Sequence, residues 1–509
     1  MVAFLLSRVL GVARDAVINA QYDALSMEGN AFAIASRFPQ LIFTIIAGGA
    51  LGSAFIPTFT GFFARDDESG GWRLFSAIVN LVLLTTIVVV TATIFLAEPL
   101  VQFLYPDLVA DIPGFFPTVV RLMRVMLLSA IIFAASGVIM GALNARQHFL
   151  LPAIAGSVYN LGIIAGALLF RGNVMGLAYG VVLGAAGHML IQLPALFQKG
   201  ARFELLFSLR VPGVRQVLYL MAPRVLGLSF SELTHVLTQL LAQSLVLGSI
   251  RALDLGWKVM SMPMAFLGQA VAIAAFPTFS MLAAEKNLSE MRRILADTLR
   301  LIIFLGLPAA ILLAVLRKPI ITLLFEYGTA DAASTEFIAS ALLFYAIGLV
   351  ALAIIEVVAR AFFALEDTTT PVVVGGLQLL MMATFGLALS RLVFPPLGWP
   401  AFGGLALGHS LANIVESGLL LWLLRRKMGG VDGRHMADGL WRMALAGVIM
   451  IMATLGLQQA LEDMGSLPLL LVASVVGSTV YFLAAWLLRL AEVRQLLALL
   501  KRSLQRATF

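Results

Sequence analysis

Residues 3–24 read AFLLSRVLGVARDAVINAQYDA. The run is long and apolar enough to cross a membrane as a helix, yet it holds Arg8, Arg14 and Asp15. A charge at mid-bilayer costs about 2.5–3.5 kcal/mol on insertion scales, so such residues persist where they face water, one another or a charged ligand. The rest of the chain supports a membrane assignment. Its 509 residues are 61% hydrophobic and only 12% charged, with a mean hydropathy of +0.99. Soluble domains are nearer half apolar and a quarter charged.

Crossing about 30 Å of hydrocarbon takes about 20 apolar residues. Such stretches fall near 3–24, 31–61, 73–97, 116–143, 150–170, 174–197, 214–245, 253–282, 297–317, 335–363, 371–391, 401–424, 440–460 and 468–488. They predict an all-α polytopic membrane protein of about fourteen transmembrane helices. One set of short loops carries Arg65, Arg73, Arg146, Lys199, Arg202, Arg210, Lys286, Arg292, Arg293, Arg425, Arg426, Lys427 and Arg434, and the opposite set is poorer in Lys and Arg. The positive-inside rule places the first set, and with it both termini, in the cytoplasm. The first apolar segment contains the arginines and lacks a small-residue cleavage site, so no cleavable signal peptide is expected. The net charge of +7 reads as arginines at the membrane surface rather than a nucleic-acid site. Cysteine is absent, which excludes disulfides, thiolate metal sites and a cysteine nucleophile. No P-loop, HExxH or GxSxG pattern occurs. The expectation is a protein that is not an enzyme and takes no cofactor or metal.

The chain repeats weakly at about 220 residues. RVLG at Arg8–Gly11 returns at Arg224–Gly227, AFIPTF at Ala54–Phe59 resembles AAFPTF at Ala274–Phe279, and Gly187-His188 returns as Gly408-His409. ALNARQHFLLP, ending at Pro152, resembles FFALEDTTTP, ending at Pro371. Each copy holds about six spans, so both enter from the same side and form parallel repeats. The expected layout is an N-terminal six-helix lobe over 1–200, a C-terminal six-helix lobe over 217–427, an additional two-helix unit over 440–490 and a basic amphipathic tail over 491–509.

Several charged residues lie inside apolar segments. Arg8 and Asp15 are seven residues apart and share a helical face. Surplus positive charge there suits a phosphate, whose oxygens match arginine's planar fork. The alternative is that Asp15 neutralises an arginine and pins helices together. Arg37 precedes Pro39, and Lys258 precedes Pro263. Each either lines a cavity at a proline-broken helix or snorkels to the interface. Arg224, Glu232 and His235 share the seventh span, as a proton or cation relay or as a self-neutralising network. His409, Asn413 and Glu416 make a polar stripe on the twelfth span, and Glu356 and Arg360 read as an ordinary i, i+4 ion pair.

SRVLGVARD (Ser7–Asp15), NAFAIASRFPQLIF (Asn30–Phe43) and GALGSAFIPTF (Gly49–Phe59) resemble the opening of the MurJ (MviN) lipid II flippases, within the superfamily that also holds multidrug antiporters and polysaccharide flippases. MAPRVLGLSFSEL, LFEYGTAD and LGHSLANIVESGLLLWLLRRK extend the resemblance over nearly the whole chain. It implies a transporter in the bacterial inner membrane. The cargo would be undecaprenyl-pyrophosphate-linked disaccharide-pentapeptide, moved from the inner to the outer leaflet by alternating access, with cell-wall synthesis enzymes as further partners. It also implies that Arg8, Arg14, Asp15, Arg37 and Lys258 contact substrate, and Arg224, an arginine inside the seventh span, is a further candidate contact. Glu232, His235 and Glu416 are the candidates for ion or proton coupling. Asn30 stands where the family usually has an acid, Phe43 and Thr44 where many members have basic residues, and Gly48 where an acid is common. The alternative cargo is another polyprenyl-pyrophosphate-linked sugar or an amphipathic cation. A membrane glycosyltransferase would need an acidic base and usually a large outer loop, and a scaffold would leave the buried charge unexplained.

Overall fold

A computed structural model describes residues 2–46, 50–430, 433–461 and 464–494, excluding the side chains of 2–5, 50–53, 222–224, 226–229, 231 and 433–438. The chain divides into two compact units, Met1–Arg251 with Leu324–Ser334, and Ala252–Leu323 with Thr335–Phe509.

In the first unit the helices are α1 (Val2–Asn19), α2 (Met27–Ile46), α3 (Ala50–Phe63), α4 (Glu68–Phe95), the short α5 (Ala97–Leu104) and α6 (Pro106–Asp111), α7 (Phe115–Ala145), α8 (Leu150–Leu169), α9 (Met175–Leu190), the short α10 (Leu193–Gln198) and α11 (Val214–Ala242). The second holds most of α12 (Ser249–Met264), whose first turn belongs to the first unit, α13 (Val271–Ala284), α14 (Leu288–Val315), most of α15 (Arg317–Phe325) and of α16 (Ala332–Ala346), α17 (Leu349–Ala364), α18 (Thr369–Ala388), α19 (Ala401–Met428), α20 (Gly433–Ala460) and α21 (Ser466–Leu487). The element order repeats with the sequence. α4 starts at Glu68 and α14 at Leu288, α5 at Ala97 and α15 at Arg317, each pair 220 residues apart.

Among the described residues, ten helices are long and apolar enough to cross a membrane, or eleven with α16 and α17 counted as one span bent by 46°. α1, α2 and α11 fall outside that set, and they carry Arg8, Arg14, Asp15, Arg37, Arg224, Glu232 and His235. The stretch 31–61, read as one span, is two helices, α2 and α3. Pro263 lies near the end of α12 and is followed by a π-helical turn, Ala265–Ala270.

Helix pairs in each unit close on glycine. A Cβ on Gly162 in α8 would stand 2.3 Å from Gly184 Cα in α9, and one on Gly408 in α19 would stand 2.4 Å from Gly386 N in α18. Backbones that approach this closely gain dispersion contacts without a hydrophobic driving force, the usual means of helix association in lipid. An aromatic core lies under α3 and α4. Phe55 stacks on Phe59 at 5.0 Å, and Trp72 meets Phe59 edge-on at 5.4 Å.

Residues 324–334 are clipped to the end of α1. Asn19 Nδ2 donates to the Phe325 carbonyl at 3.0 Å, Thr329 N donates to the Ala20 carbonyl at 3.0 Å, and Ala24 N donates to Ser334 Oγ at 3.2 Å. Gly328 makes the clip possible. Its φ is +66°, and a Cβ there would stand 2.1 Å from the Ala20 carbonyl oxygen. Gly328→Ala is expected to destabilise by about 1 kcal/mol or more, because alanine meets both a left-handed backbone and a clash. The thermal unfolding midpoint of the purified protein checks this against Gly375→Ala, where a Cβ has open space. Equal midpoints would show that the clip does not need glycine.

Candidate functional site

The charges of α1 are organised from α8. Arg14 Nε and Nη2 both donate to Asp15 Oδ1, at 3.2 and 3.0 Å, and Nη2 also reaches Oδ2 at 3.0 Å. The opposite edge of the guanidinium, Nη1, donates to Asn160 Oδ1 at 3.0 Å. Asn160 Nδ2 in turn donates to the Ser7 carbonyl at 3.0 Å. One amide from α8 thus fixes both the arginine fork and the backbone of α1. Small residues let it reach. A Cβ on Gly156 would collide with Ser7 Oγ at 2.7 Å, whereas one on Gly11 would make only ordinary contact with Asn160, at 3.8 Å. Asp15 is buried, and Arg8 and Arg14 are half-buried. Two guanidinium groups and one carboxylate leave the trio one net positive charge.

Behind Asn160 stands an aromatic wall. Phe133 in α7 meets Tyr159 at 5.0 Å, Phe43 at 5.4 Å and His188 at 5.2 Å. Ser136 Oγ is 2.7 Å from His188 Nδ1, and Gln192 Nε2 donates to Ser136 Oγ at 2.9 Å.

A second polar chain joins α2 to α11. Arg37 Nη1 donates to Gln40 Oε1 at 3.5 Å, and Gln40 Nε2 and Thr44 Oγ1 both donate to Glu232 Oε1 at 3.4 Å. These are long contacts, weak as they stand and able to rearrange. Glu232 and Arg37 are therefore linked through Gln40. His235, half-buried, lies one turn further along α11. The Arg224 side chain lies outside the described residues.

In the second unit Lys258 Nζ pairs with Asp254 Oδ2 at 2.8 Å, from i to i+4. Glu416 is buried on α19 with His409 and Asn413. His409 packs edge-on against Trp257 at 4.8 Å and Tyr345 at 5.7 Å, and Gln378 Nε2 donates to Asn413 Oδ1 at 3.1 Å. Glu356 and Arg360 form the expected i, i+4 pair, at 2.5 Å.

The positions that depart from the family pattern each have a local account where they are described. Asn30 is buried and fully used. Nδ2 donates to the Ala24 and Ser26 carbonyls at 2.9 and 2.8 Å, and Oδ1 accepts from Arg251 N at 3.2 Å, which caps the start of α12. Phe43 belongs to the aromatic wall, and Thr44 to the Glu232 contact. Gly48 lies outside the described residues. The sequence reading missed Asn160 and Asp254. Asp254 could have been found from its i, i+4 spacing to Lys258. Asn160, 146 residues from Arg14, has no local signal.

A family model described as "Lipid II flippase MurJ" matches residues 24–476. A lipid II flippase MurJ from Burkholderia cenocepacia is 31% identical over 434 residues, 84% of this chain and 82% of its own. The chain belongs to the MurJ lipid II flippase family. A probable lipid II flippase MurJ from Rhizobium tropici is 28% identical over 432 residues, 83% of this chain and 79% of its own. Among solved structures, lipid II flippase MurJ in an inward closed conformation matches with a TM-score of 0.77 at 21% identity, covering 95% of this chain and 97% of that one. An inward-facing multidrug resistance MATE transporter of the MOP superfamily matches with a TM-score of 0.70 at 14% identity, covering 83% and 94%. At these identities both show the fold alone. The MurJ family match begins after α1, so the charged trio is read from this chain's own residues. The family and the apolar helices make the chain a bacterial multi-pass membrane protein.

Proposed function

We propose that this chain carries lipid II, the undecaprenyl-pyrophosphate-linked disaccharide-pentapeptide, from the inner to the outer leaflet of the bacterial inner membrane. The observation that carries this reading is the net-positive Arg8, Arg14 and Asp15 trio inside an apolar helix of a MurJ-family chain. Pyrophosphate is the part of lipid II that needs such a site, and a planar guanidinium already aimed by Asp15 and Asn160 reduces the ordering cost of gripping it. Arg37, Arg224 and Lys258 are the further candidate contacts for the cargo.

Two lobes, residues 1–200 and 217–427, alternate in opening to either side. The pair 440–490 is added outside them; of the basic tail 491–509, Glu492 and Val493 are buried against that pair rather than laid on the inner surface, and 495–509 lie outside the described residues. Both termini are cytoplasmic. Enzymes of cell-wall synthesis supply and consume the cargo, and the chain itself does no covalent chemistry. Glu232, His235 and Glu416 are the groups through which an ion or proton gradient would couple. Membrane potential alone supplies about 2.3 kcal/mol per charge per 100 mV. Growth rescue of a conditional lipid II flippase mutant by this chain tests the cargo, and failure of a well-expressed protein to rescue would sink it. The drive is tested in vesicles without ATP. Flipping is expected to continue under an ion gradient or potential, and a strict need for ATP hydrolysis by this polypeptide would overturn the reading.

A further inference from the structure

Residues 199–213 join α10 to α11, the connection between the two sequence repeats. Outside any helix, the segment is tied to α4 along one edge. Ser76 Oγ donates to the Arg202 carbonyl at 3.3 Å and accepts from Glu204 N at 3.0 Å. Asn80 Nδ2 donates to the carbonyls of Glu204 and Leu206 at 2.9 and 3.2 Å. Contacts at 202, 204 and 206 follow the two-residue period of an extended chain. Ala201, Leu206 and Val211 pack inward against the aromatic core of α3 and α4.

The other edge is apolar and open. Phe203, Leu205, Phe207 and Leu209 are 57%, 75%, 54% and 50% exposed. Four large apolar side chains at alternate positions make a continuous stripe, and exposed stripes of this kind mark interaction sites. Basic residues flank it, with Lys199, Arg202 and Arg210 in the segment and Arg215 at the start of α11. The single acid between 199 and 215, Glu204, lies 3.6 Å from Arg73.

We infer that residues 202–210 are an interfacial strap, a membrane-surface site that inserts Phe203, Leu205, Phe207 and Leu209 into the acyl boundary of one leaflet and sets its arginines against anionic lipid headgroups. The occupant follows from position and charge. α9 and α10 together form an apolar span, Met175–Gln198, that ends at the strap. Exposed Phe197 before the strap and Tyr219 after it, at 63% and 80%, continue the apolar surface on both sides. A lipid boundary is thus what the two ends of the strap already meet, and apolar insertion beside basic side chains is how a segment holds an anionic interface. The connection between the repeats is then fixed on two sides, to α4 by Ser76 and Asn80 and to the leaflet by its aromatic and leucine stripe.

The chain has no cysteine, so single Phe203→Cys, Leu205→Cys, Phe207→Cys and Leu209→Cys variants of the full chain can be spin-labelled without background. Each is reconstituted in phosphatidylcholine vesicles with and without phosphatidylglycerol, where no other protein is present. Accessibility to oxygen, which partitions into lipid, is compared with accessibility to a water-soluble nickel chelate. The label at the exposed loop residue Asp66 serves as the aqueous reference. The expected result is a reversal of the oxygen-to-nickel ratio relative to Asp66 at all four positions, and deeper labels with phosphatidylglycerol. Arg202→Gln with Arg210→Gln should remove the phosphatidylglycerol effect and keep the reversal. Nickel accessibility at 203–209 matching that at Asp66 would overturn the strap and point to a protein partner for the stripe. Equal depth in both vesicles would overturn the anionic headgroup contact.

Discussion

Arg8→Ala is expected to abolish growth rescue of a lipid II flippase-depleted strain while the protein accumulates normally, and Arg8→Lys to rescue in part. The lysine keeps the charge but loses the bidentate fork. Arg14 needs a different design, because it is bound to a buried partner. Arg14→Ala leaves the Asp15 carboxylate without its arginine, and breaking a buried pair from one side costs about 3–5 kcal/mol. Its protein level should fall, so loss of rescue alone would say little about cargo. Arg14→Gln combined with Asp15→Asn removes both charges and keeps polar groups within reach of Asn160. That double variant should recover its level and still fail to rescue. If it restores level and rescue together, the pair is a structural pin. If Arg8→Ala also flips lipid II at the wild-type rate in an accessibility assay, the phosphate contact moves to Arg37, Arg224 or Lys258, or is abandoned. Arg121→Ala is the control. Its guanidinium is exposed and donates to the Pro117 carbonyl within its own helix, so it should behave as wild type.

What could be read from sequence divides by distance along the chain. Hydropathy and a 220-residue repeat suffice for an all-helical membrane fold, because in lipid the backbone must satisfy its hydrogen bonds within each segment. Charges near one another in sequence were legible for the same reason. Glu356 and Arg360 follow from helix geometry, whereas the pairing of Arg14 with Asp15 does not, since adjacent residues lie about 100° apart on a helix and the shared face pointed to Arg8 instead. Breaks inside spans were less visible. The bend at Ile347 and Gly348, between α16 and α17, has no proline to announce it, and a Cβ on Gly348 would stand 2.8 Å from Ser410 Oγ. That packing partner is 62 residues away, so the reason for the bend is tertiary. Asn160 was invisible on the same ground. Nothing within α8 says that its amide will bridge Ser7 and Arg14. The role of Asn30 was hidden too. The residue stands out as a departure from a family pattern, yet its hydrogen bonds make it a cap rather than a gap in a binding site.

The largest loss of stability is expected at a pair that no sequence pattern suggests. Arg300 in α14 donates through Nε to Glu492 Oε1, just beyond α21. The two side chains are only 7% and 3% exposed. α20 closes over them, since a Cβ on Gly439 would stand 2.9 Å from the Arg300 guanidinium carbon. The same face is tied by Tyr481, whose hydroxyl donates to the Phe304 carbonyl at 3.0 Å, and by Arg442, whose Nη1 donates to the Leu488 carbonyl at 3.2 Å. Leu490 and Val493 are buried beside Glu492 in one apolar cluster with Phe304 and Tyr481. The two C-terminal helices are thus latched to α14 through an ion pair in a dry setting. Glu492→Ala removes the buried carboxylate that Arg300 Nε donates to, and breaking a buried pair from one side costs about 3–5 kcal/mol. The expected readout is a lower unfolding midpoint and a sharply reduced cellular level. Arg300→Ala should cost a similar amount, because it strands the carboxylate instead. Arg300→Met with Glu492→Leu should recover most of the loss, since well-packed apolar replacements of a buried ion pair are often neutral or stabilising. A wild-type midpoint for Glu492→Ala would mean that water reaches the site and that packing among α14, α20 and α21 holds the helices without the pair. A double variant no better than either single one would mean that the site needs the hydrogen bonds themselves rather than mere charge balance.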